Sequence, residues 1–540
     1  MGSVGFSTLD YAVFISYGLI IVFIGLWVSR TKKGEKKTAQ DYFLASKSLP
    51  FWAIGASLIA SNISAEQFIG MSGSGYAIGL GIATYEWMAA ITLIIVGKFF
   101  LPIFIKKKIY TMPQFLEMRY DGRVRTAMAT FWLLVYVFVN LTSVLYLGAI
   151  ALKTIMGVPL FYGIIGLALF AAIYSIYGGL TAVAWTDVVQ VIVLIGGGLV
   201  TTWLALDAVS DGNGFIAGFR ELIERAPEKF NMILEKGQLI IPDGNGGTKD
   251  AYMDLPGIGV LIGGMWIANI SYWGFNQYII QRGLAAKNIR EAQKGVIFAG
   301  FLKILIPLIV VIPGIAAFVL TKDSGTLLEP SDKAYPWLLH NFVPAGVRGL
   351  AFAALAAAIV SSLASMLNST ATIFTMDIYK RFIDKNVSDT KMVTVGRVTS
   401  LVALVIAVFT AKPLLGNLDQ AFQYIQEFTG FVTPGVVVIF CFGLFWKRIT
   451  ANAALSVAVL TIPLSFAIKV LWSSLPFLDR MGVVFLTLSG IAILISFIER
   501  KTDDPKGIEL YKGLFHTKMS FNIGAIVLTA IVAVLYIIFW

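Results

Sequence analysis

The sequence is poor in the side chains that carry most metal and redox chemistry. Its 540 residues include one cysteine, Cys441, and two histidines, His340 and His516. One cysteine cannot form a disulfide within the chain or a thiolate cluster, and two histidines cannot supply the paired axial ligands of membrane-bound haems. Redox chemistry and zinc catalysis are therefore not expected, and no organic cofactor is implied.

Charge is scarce as well. Charged residues make up 14% of the chain, against about 25% in soluble domains. Hydrophobic residues reach 57%, and the mean hydropathy is +0.80. This composition excludes a water-soluble globule and an intrinsically disordered chain. The N-terminus lacks the basic region and cleavage site of a signal peptide, so the first apolar stretch is expected to be retained.

Fourteen apolar runs are long enough to be membrane-spanning helices of roughly 20 residues. They lie near residues 9–29, 51–76, 80–104, 126–152, 160–177, 181–206, 256–281, 295–320, 349–376, 393–411, 420–446, 451–470, 481–498 and 521–540. Only the turn at Gly178-Gly179 separates the fifth run from the sixth. The sequence thus predicts an all-α polytopic membrane protein embedded in a lipid bilayer.

Basic residues lie mostly on one side of this predicted bundle. The loops at 30–47, 106–125, 282–294, 380–397, 447–448 and 500–518 hold 28 lysines and arginines, and the opposite loops hold 11. By the positive-inside rule the first set is cytoplasmic, which places both termini outside the cytoplasm. The net charge of +11 therefore reports orientation, and no nucleic-acid partner is expected.

The longest loop, 207–255, is predicted to be external. It carries nine acidic residues against five basic ones. Apolar residues at Phe215, Phe219, Leu222 and Ile223 follow helical spacing, which predicts a short amphipathic helix.

Two spans share a polar stretch at mid-membrane depth. Asn62-Ile63-Ser64 lies in the second span and Asn269-Ile270-Ser271 in the seventh. Because five spans separate them, the two segments cross the membrane in opposite directions, which is typical of inverted repeats with discontinuous helices. A chance identity of three residues is the alternative. Unwound backbone is tolerated at this depth only where it lines a cavity or is buried in protein, so the pattern predicts a solute site with an ion beside it.

Longer motifs carry a family resemblance. The run from Gly178 to Gln190, GGLTAVAWTDVVQ, resembles a signature of the sodium:solute symporter family. The segments 61–79, 272–282 and 354–379 are similar to that family too, most of all to its bacterial sodium/galactose (sodium/glucose) cotransporters. The resemblance implies a LeuT-like core of two inverted five-helix repeats, sodium-coupled alternating access and a bacterial inner (plasma) membrane location.

Five segments follow from this resemblance and the span pattern. They are an N-terminal extra helix with its cytoplasmic loop (1–50), the first five-helix repeat (51–206), the external loop (207–255), the second repeat (256–446) and three C-terminal helices (447–540). The oligomeric state is left open.

The resemblance implies a sodium site made of oxygen ligands, which hard cations prefer. Its ligands would be the hydroxyls of Ser361 and Ser362 and the carbonyls of Ala358, Ala60 and Ile63. The alternative for the two serines is that they bond back to carbonyls one turn earlier in their own helix.

Asp187 is an intramembrane carboxylate, lying roughly 12 Å from the inner turn at Gly179, and is thus a functional candidate. The resemblance places it near the cytoplasmic exit of the ion. A buried structural salt bridge or hydrogen bond is the alternative.

Polar and aromatic residues at membrane depth suit an uncharged sugar, which needs hydrogen-bonding groups and flat apolar surfaces. By resemblance, Gln67, Glu86, Asn269, Lys303 and Gln426 would hydrogen-bond the sugar. Lys303 lies roughly 13 Å from the inner surface, too deep to snorkel. An interfacial carboxylate is the alternative for Glu86. The aromatic belt accounts for Trp87.

Aromatic residues would close the site. Tyr272 would stack on the sugar ring as the inner gate, with Asn62 as its hydrogen-bond partner, and Trp273 would be a second aromatic substrate-binding residue. The outer gate residues would be Met71, Tyr85 and Phe422. Position 89 is Ala where a Ser is expected in close sugar-carrying relatives, so one hydrogen bond to the sugar is in doubt.

Together these features favour a sodium-driven hexose importer, for galactose or glucose, and not an enzyme. A symporter of the same fold for an amino acid, sialic acid or another carboxylate is the nearest alternative, although Glu86 would repel such anions. A passive channel or a membrane-embedded enzyme is more remote, because a channel has no need of two oppositely oriented breaks and no nucleophile or metal cluster appears.

Overall fold

The computed structural model describes residues 6–28, 30, 38–242, 247–325, 327–415 and 421–540, and these are mostly helical. The predicted basic segment 31–37 lies outside the described residues. The α-helices are α1 Thr8–Val28, α2 Ala39–Leu44, α3 Phe51–Asn62, α4 Ser72–Ala77, α5 Thr84–Ile95, α6 Leu101–Lys107, α7 Met112–Arg119, α8 Gly122–Val135, α9 Thr142–Met156, α10 Leu160–Gly178, α11 Leu180–Val209, α12 Phe215–Arg225, α13 Ile258–Ile262, α14 Gly264–Ile270, α15 Gln277–Leu284, α16 Ile289–Asp323, α17 Ala334–Phe342, α18 Val347–Ile373, α19 Asp389–Leu415, α20 Ala421–Gly430, α21 Thr433–Phe445, α22 Ala451–Leu471, α23 Phe477–Glu499 and α24 Met519–Ile538.

Short helical segments of other types join or flank these helices. The π-helical ones are Glu66–Met71, Val96–Phe100, Tyr136–Leu141, Ser271–Phe275 and Phe374–Ile383, and the 3₁₀ ones are Ala45–Lys47, Leu80–Ala83, Pro227–Lys229, Ala251–Met253 and Ser331–Lys333. Through them the chain forms continuous helices at Leu80–Lys107, Gly122–Met156 and Val347–Ile383. π-Helical turns inside α-helices are frequent at functional sites.

Ten helices of the described chain are long and apolar enough to cross a membrane. The pair Ala251–Ile262 and Gly264–Phe275, bent by 79°, adds an eleventh candidate. Three shorter apolar helices lie at Phe51–Asn62, Leu160–Ile173 and Thr433–Phe445. Every predicted span overlaps one of these helices, while the count of fourteen crossings stays a prediction.

Side-chain caps fix several helix starts. The Asp121 carboxylate accepts hydrogen bonds from the first amides of α8, and Asn288 does the same for α16. Such caps satisfy amides that have no partner within the helix. Both caps lie inside the predicted loops 106–125 and 282–294, so these long helices begin a few residues earlier than the sequence predicts.

Helix α18 forms the centre of the bundle. Of the most apolar 18-residue stretch in Val347–Ile383, 94% is buried, against 17% in α1 and 22% in α24. Helices α1, α10 and α11 pack around α18. Its alanines and serines leave room for close helix approach, so polar groups on α18 face protein and not lipid.

Helix α16 packs against both α3 and α4, which are the two helical halves of the second predicted span, 51–76. A Cβ on Gly55 of α3 would lie 2.8 Å from the Gly295 carbonyl oxygen of α16. A Cβ on Gly75 of α4 would lie 2.8 Å from the Val311 carbonyl oxygen. At Gly55 an added Cβ would also lie 2.5 Å from the Phe298 ring of α16, so both positions need a glycine for this close approach.

The segment 207–255 contains the predicted amphipathic helix, α12, and a small hairpin. Leu222 of α12 is fully buried. Strands β1 Ile240–Pro242 and β2 Thr248–Asp250 pair antiparallel, with Ile241 opposite Lys249. Between helix and hairpin, the buried Lys229 donates a hydrogen bond of 2.5 Å to the carbonyl of Ala77, at the end of α4.

Candidate functional site

The helix is broken between α3 and α4, as the sequence predicts. Helix α3 ends at Asn62, and Ile63 is extended, with φ −75° and ψ 113°. In an unbroken helix the Ser64 amide would bond to the carbonyl of Ala60. It donates instead to Gln67 Oε1 at 2.9 Å, and the Ser64 hydroxyl donates to the same oxygen at 3.1 Å. Gln67 therefore stabilises the break with its side-chain oxygen.

The second break lies later in the chain than the sequence predicts. Residues 269–271 stay helical, and the asparagine among them donates back to the Met265 carbonyl at 3.2 Å. The backbone becomes extended at Asn276, with φ −75° and ψ 127°. The Tyr136 hydroxyl donates to Asn276 Oδ1 at 2.5 Å and accepts from the Gln277 amide at 3.0 Å. A tyrosine from another helix thus supports this break.

A cavity of about 60 Å³ lies beside both broken helices. Its lining residues are Asn62, Glu66, Gln67, Tyr85, Glu86, Ala268, Asn269, Tyr272, Trp273, Lys303, Phe422 and Gln426. They include all seven predicted substrate-binding residues and four of the five predicted gate residues. The fifth, Met71, is fully buried outside the lining, next to Gly70, which packs against Phe422.

A second cavity, of about 100 Å³, shares part of its lining with the first. The two share Glu66, Tyr85, Ala268, Tyr272 and Gln426. Space beside the predicted sugar site therefore extends past Tyr272 toward α8 and α21.

Lys303 and Glu86 form an ion pair in the first cavity. The two side chains are only 1% and 4% exposed. The Lys303 ammonium also donates to Asn62 Oδ1 and lies 4.9 Å from the centre of the Trp273 ring. Each charge offsets part of the cost of burying the other. This arrangement does not fit the alternative of Glu86 as a carboxylate at the membrane surface.

The Tyr272 hydroxyl joins the two broken helices. It accepts a hydrogen bond from Asn62 Nδ2 at 3.0 Å, the partner that the sequence analysis predicts. It accepts a second from the Tyr278 hydroxyl at 2.7 Å. Because Asn62 also bonds to Lys303, a continuous polar chain runs from the ion pair to Tyr278.

The predicted sodium ligands lie where α18 crosses the first break. The Ser362 hydroxyl donates to the carbonyls of Ser61 at 3.0 Å and Ile63 at 3.3 Å. The Ser361 hydroxyl donates to Asp187 Oδ1 at 2.5 Å. Neither serine bonds back along its own helix in these contacts. The donor set, hydroxyls and carbonyls with one carboxylate behind them, suits a hard cation such as sodium.

The other two predicted ligands lie on the same two helices. Ala358 precedes Ser361 by three residues on α18, and Ala60 is in the last turn of α3. Both are fully buried. The Ala60 carbonyl lies at the broken turn, where the amide that it would bind in a regular helix is turned to Gln67.

Asp187 is fully buried and surrounded by hydroxyl groups. Its carboxylate accepts hydrogen bonds from Ser57 and Ser361 at 2.5 Å and from Ser61 at 3.4 Å. One nitrogen of the Arg282 guanidinium lies 3.7 Å from Asp187 Oδ2. The residue therefore touches the predicted ion site and also forms the buried salt bridge that was its alternative role.

Four residues at the site are absent from the predicted set. Glu66 lines both cavities and accepts a hydrogen bond from Ser143 at 2.5 Å. Ser57 and Arg282 contact Asp187, and Tyr278 contacts Tyr272. The predicted span pattern places Arg282 in the cytoplasmic loop 282–294, which is wrong because the residue lies in α15 and its side chain is fully buried. Its place in the motif YWGFNQYIIQR was the available signal.

Comparisons with known proteins agree with this geometry. The model of the sodium:solute symporter family matches residues 42–460. The chain is 55% identical to the sodium/glucose cotransporter of Vibrio parahaemolyticus, covering 99% of both chains. It is 33% identical to the sodium/myo-inositol cotransporter 2 of Oryctolagus cuniculus, covering 85% of this chain and 69% of the relative.

Solved structures share the architecture. A substrate-bound, outward-open structure of a Na⁺-coupled sialic acid symporter matches with a TM-score of 0.77 at 25% identity, covering 91% of this chain and 98% of the other. Inward-facing Mhp1 matches with a TM-score of 0.52 at 14% identity, covering 87% and 94%, which shows a common fold. The protein is thus an integral membrane transporter and not an enzyme, and the chain belongs to the sodium:solute symporter family.

Proposed function

We propose that the protein imports a hexose such as galactose or glucose together with sodium by alternating access. The observation that carries this proposal is the shared cavity. Seven polar or aromatic residues predicted to hold a sugar line one space, and the predicted ion ligands lie at the helix break that forms its wall.

The chemistry of the cavity suits a polyol. The Glu86 carboxylate, the Asn269 and Gln426 amides and the Lys303 ammonium offer acceptors and donors for hydroxyl groups. Trp273 and Tyr272 offer aromatic faces for the apolar side of a ring. The names of the related proteins, sodium/glucose and sodium/myo-inositol cotransporters, point to cyclic polyols as well.

The cavity is a poor fit for an anionic solute. Two glutamates line it, Glu66 and Glu86, and Lys303 is already paired. None of its described lining residues is an arginine. This observation disfavours an amino acid, a carboxylate or a sialic acid, the solute named for the matching symporter structure.

In the proposed cycle Ser361, Ser362, Ala358, Ala60 and Ile63 hold the sodium. Its binding would replace the hydrogen bonds that the Ser362 hydroxyl now makes to the break. Asp187 would receive the ion on its way to the cytoplasm. Tyr272 with Asn62 would gate the sugar on the inner side, and Met71, Tyr85 and Phe422 on the outer side.

The finer architecture belongs to the same proposal. It comprises fourteen crossings, inverted repeats at 51–206 and 256–446, and both termini outside the cytoplasm of a bacterial inner membrane. The extended residues Ile63 and Asn276 have nearly the same backbone angles, φ −75° with ψ 113° and 127°. That similarity supports a structural relation between the two breaks.

Sodium entry supplies enough energy for accumulation. One charge crossing about 100 mV releases about 2.3 kcal/mol, and a tenfold sodium gradient adds about 1.4 kcal/mol. At one sodium per sugar, the total supports accumulation on the order of several hundredfold.

The test is uptake of labelled galactose and glucose into proteoliposomes of the purified protein, with sodium or potassium gradients. We expect saturable uptake that needs inward sodium and stops when the gradient is collapsed. Lys303→Ala should abolish it, while Lys153→Ala, at an exposed lysine outside the cavity, should not. Uptake that does not depend on sodium, or no uptake of any hexose, would overturn the proposal. Uptake of myo-inositol alone would show that the substrate is a polyol other than a hexose.

A further inference from the structure

Arg282 is a buried cation that the proposed transport cycle does not yet use. It lies on α15, directly after the second break, and its side chain is fully buried. Its Nε donates to the Ser57 hydroxyl of α3 at 3.1 Å, and its other nitrogens donate to the Ser365 hydroxyl of α18 and to the carbonyl of Tyr278. The guanidinium thus ties together three helices next to the predicted ion site.

The guanidinium occupies the space in which Asp187 would meet a free cation. Asp187 otherwise has only hydroxyl partners, so Arg282 supplies the positive charge closest to it among the described residues, at 3.7 Å. An arginine stays protonated in proteins. A sodium ion at Ser361 would therefore approach a neutral pair while Arg282 is in place, and a full negative charge when Arg282 has moved away.

The same helical turn reaches the sugar site. Tyr278 lies four residues before Arg282, so the two stand on one face of α15. The Tyr278 carbonyl holds the guanidinium, and the Tyr278 hydroxyl donates to the Tyr272 hydroxyl at 2.7 Å. Any shift of this turn changes the contact with Asp187 and the contact with the predicted inner gate together.

We propose that Arg282 is a tethered cation that competes with sodium for Asp187, and that α15 transmits this competition to Tyr272. Arg282 is in this sense a positioning residue for coupling and makes no contact with the sugar cavity. When sodium reaches Asp187 the guanidinium is displaced, and when the guanidinium returns it drives sodium out. The inference rests on the proposed sodium symport and deepens it.

Sodium affinity tests the proposal without relying on transport. Thermal unfolding of the purified protein is followed against sodium concentration, with choline as the inert cation, because an ion that binds the folded state stabilises it. We expect Arg282→Met to lower the half-saturating sodium concentration about tenfold, since the competing charge is gone. Arg282→Lys keeps a cation and should stay within about twofold of wild type.

Uptake measurements supply the second readout. Arg282→Met should show a lower maximal rate of sugar uptake than wild type at equal sodium gradient, because sodium held by an unopposed Asp187 is released slowly. Tyr278→Phe should leave the half-saturating sodium concentration of unfolding unchanged and weaken the dependence of sugar uptake on sodium, since only the link to Tyr272 is removed.

If Arg282→Met does not give folded protein, Ser365→Ala replaces it as the test variant. It removes one anchor of the guanidinium and one hydrogen bond of the Ser61 hydroxyl, and it leaves the two short hydrogen bonds from Ser57 and Ser361 to Asp187 in place. Sodium should therefore bind about two- to fivefold more tightly. A half-saturating concentration equal to or above that of wild type in Arg282→Met, or in Ser365→Ala when it replaces that variant, would overturn the proposal. Equal half-saturating sodium concentrations for Arg282→Met and Arg282→Lys would overturn it as well. A wild-type protein without any sodium response would instead contradict the proposed function itself.

Discussion

At the scale of single residues, the ion pair of Glu86 and Lys303 sets the charge of the sugar cavity. Removing one partner leaves the other charge buried without compensation, which costs about 3–5 kcal/mol. Lys303→Met should therefore lower the apparent melting temperature of the purified protein and abolish sugar uptake. Both effects are measured in the same detergent preparation and its proteoliposomes.

A double variant separates stability from function. Glu86→Gln combined with Lys303→Met removes both charges, so most of the lost stability should return while sugar uptake stays absent. If the double variant is as unstable as Lys303→Met, the two side chains do not compensate each other and the pairing argument fails.

Lys229 gives the protein a pH-dependent stability. This lysine lies in the 207–255 segment, where burial lowers its pKa from 10.5 to about 8; Glu228 raises it and Lys322 lowers it further. The unfolded chain keeps the proton up to about pH 10.5, so between pH 8 and 10.5 the unfolded state binds more protons. Stability contributed by this group therefore rises with pH across that window.

The comparison is with Lys229→Met, which is neutral at every pH. From pH 7 to pH 10, the stability of wild type relative to the variant should increase, by at most about 3 kcal/mol at 1.36 kcal/mol per pKa unit. Apparent melting temperatures of both proteins over this range measure the change. Parallel pH profiles for the two proteins would contradict the expectation.

Scarcity of charge made some site residues predictable and hid others. Glu86, Asp187 and Lys303 stand out because few charges lie deep in apolar runs. Arg282 lies at the end of its run, where basic residues normally mark a cytoplasmic loop. The motif YWGFNQYIIQR singled out this segment, but the inward direction of the Arg282 side chain follows from the packing of α15 against α3 and α18.

At the scale of helices, the two breaks differ in how far the sequence determines them. The first depends on local contacts, since Gln67 is three residues from the Ser64 amide that it binds. The second depends on Tyr136, from a distant helix, which binds both Asn276 and Gln277. The Asn-Ile-Ser segment at 62–64 correctly marks the first break, which depends on local contacts. The same segment at 269–271 does not mark the second break, because that break at Asn276 depends on a residue from a distant helix.

One buried carboxylate ties the start of α1 to the start of α18. Asp10 is fully buried and accepts hydrogen bonds from the Gly346 amide at 2.7 Å and the Gly349 amide at 2.8 Å, at the N-terminus of α18. Carboxylates are favourable there because the helix dipole is positive. Asp10→Ala should lower stability by about 1–2 kcal/mol and leave the sodium dependence of uptake unchanged.

Asp10→Asn is the matched control, because it keeps an acceptor oxygen without the charge. It should fall between wild type and Asp10→Ala in apparent melting temperature. Loss of sodium-dependent uptake in Asp10→Ala, with the protein folded, would show that α1 has a role in transport beyond docking.

At the scale of the whole molecule, the distribution of basic residues predicts orientation. In a Cys441→Ala background, a cysteine placed at Lys236 should react with a membrane-impermeant maleimide in intact cells whose outer membrane is permeabilised. A cysteine at Lys512 should react only after the inner membrane is opened, because the positive-inside rule places 500–518 in the cytoplasm. The opposite labelling pattern would invert the proposed topology.

The backbone contacts of α16 limit how this transporter moves. Helices α3 and α4 approach α16 closely at Gly55 and Gly75, where an added Cβ would lie 2.8 Å from a carbonyl oxygen of α16, and such close-packed contacts do not stretch or slide by small steps. The first break is therefore a rigid recess and not a hinge, and Gln67 and Lys303 keep their separation through the cycle. Spin labels at Trp52 on α3 and Leu305 on α16 should show the same distance with and without sodium and sugar. Movement during transport would then occur between the unit formed by α3, α4 and α16 and the helices around it, and not within that unit.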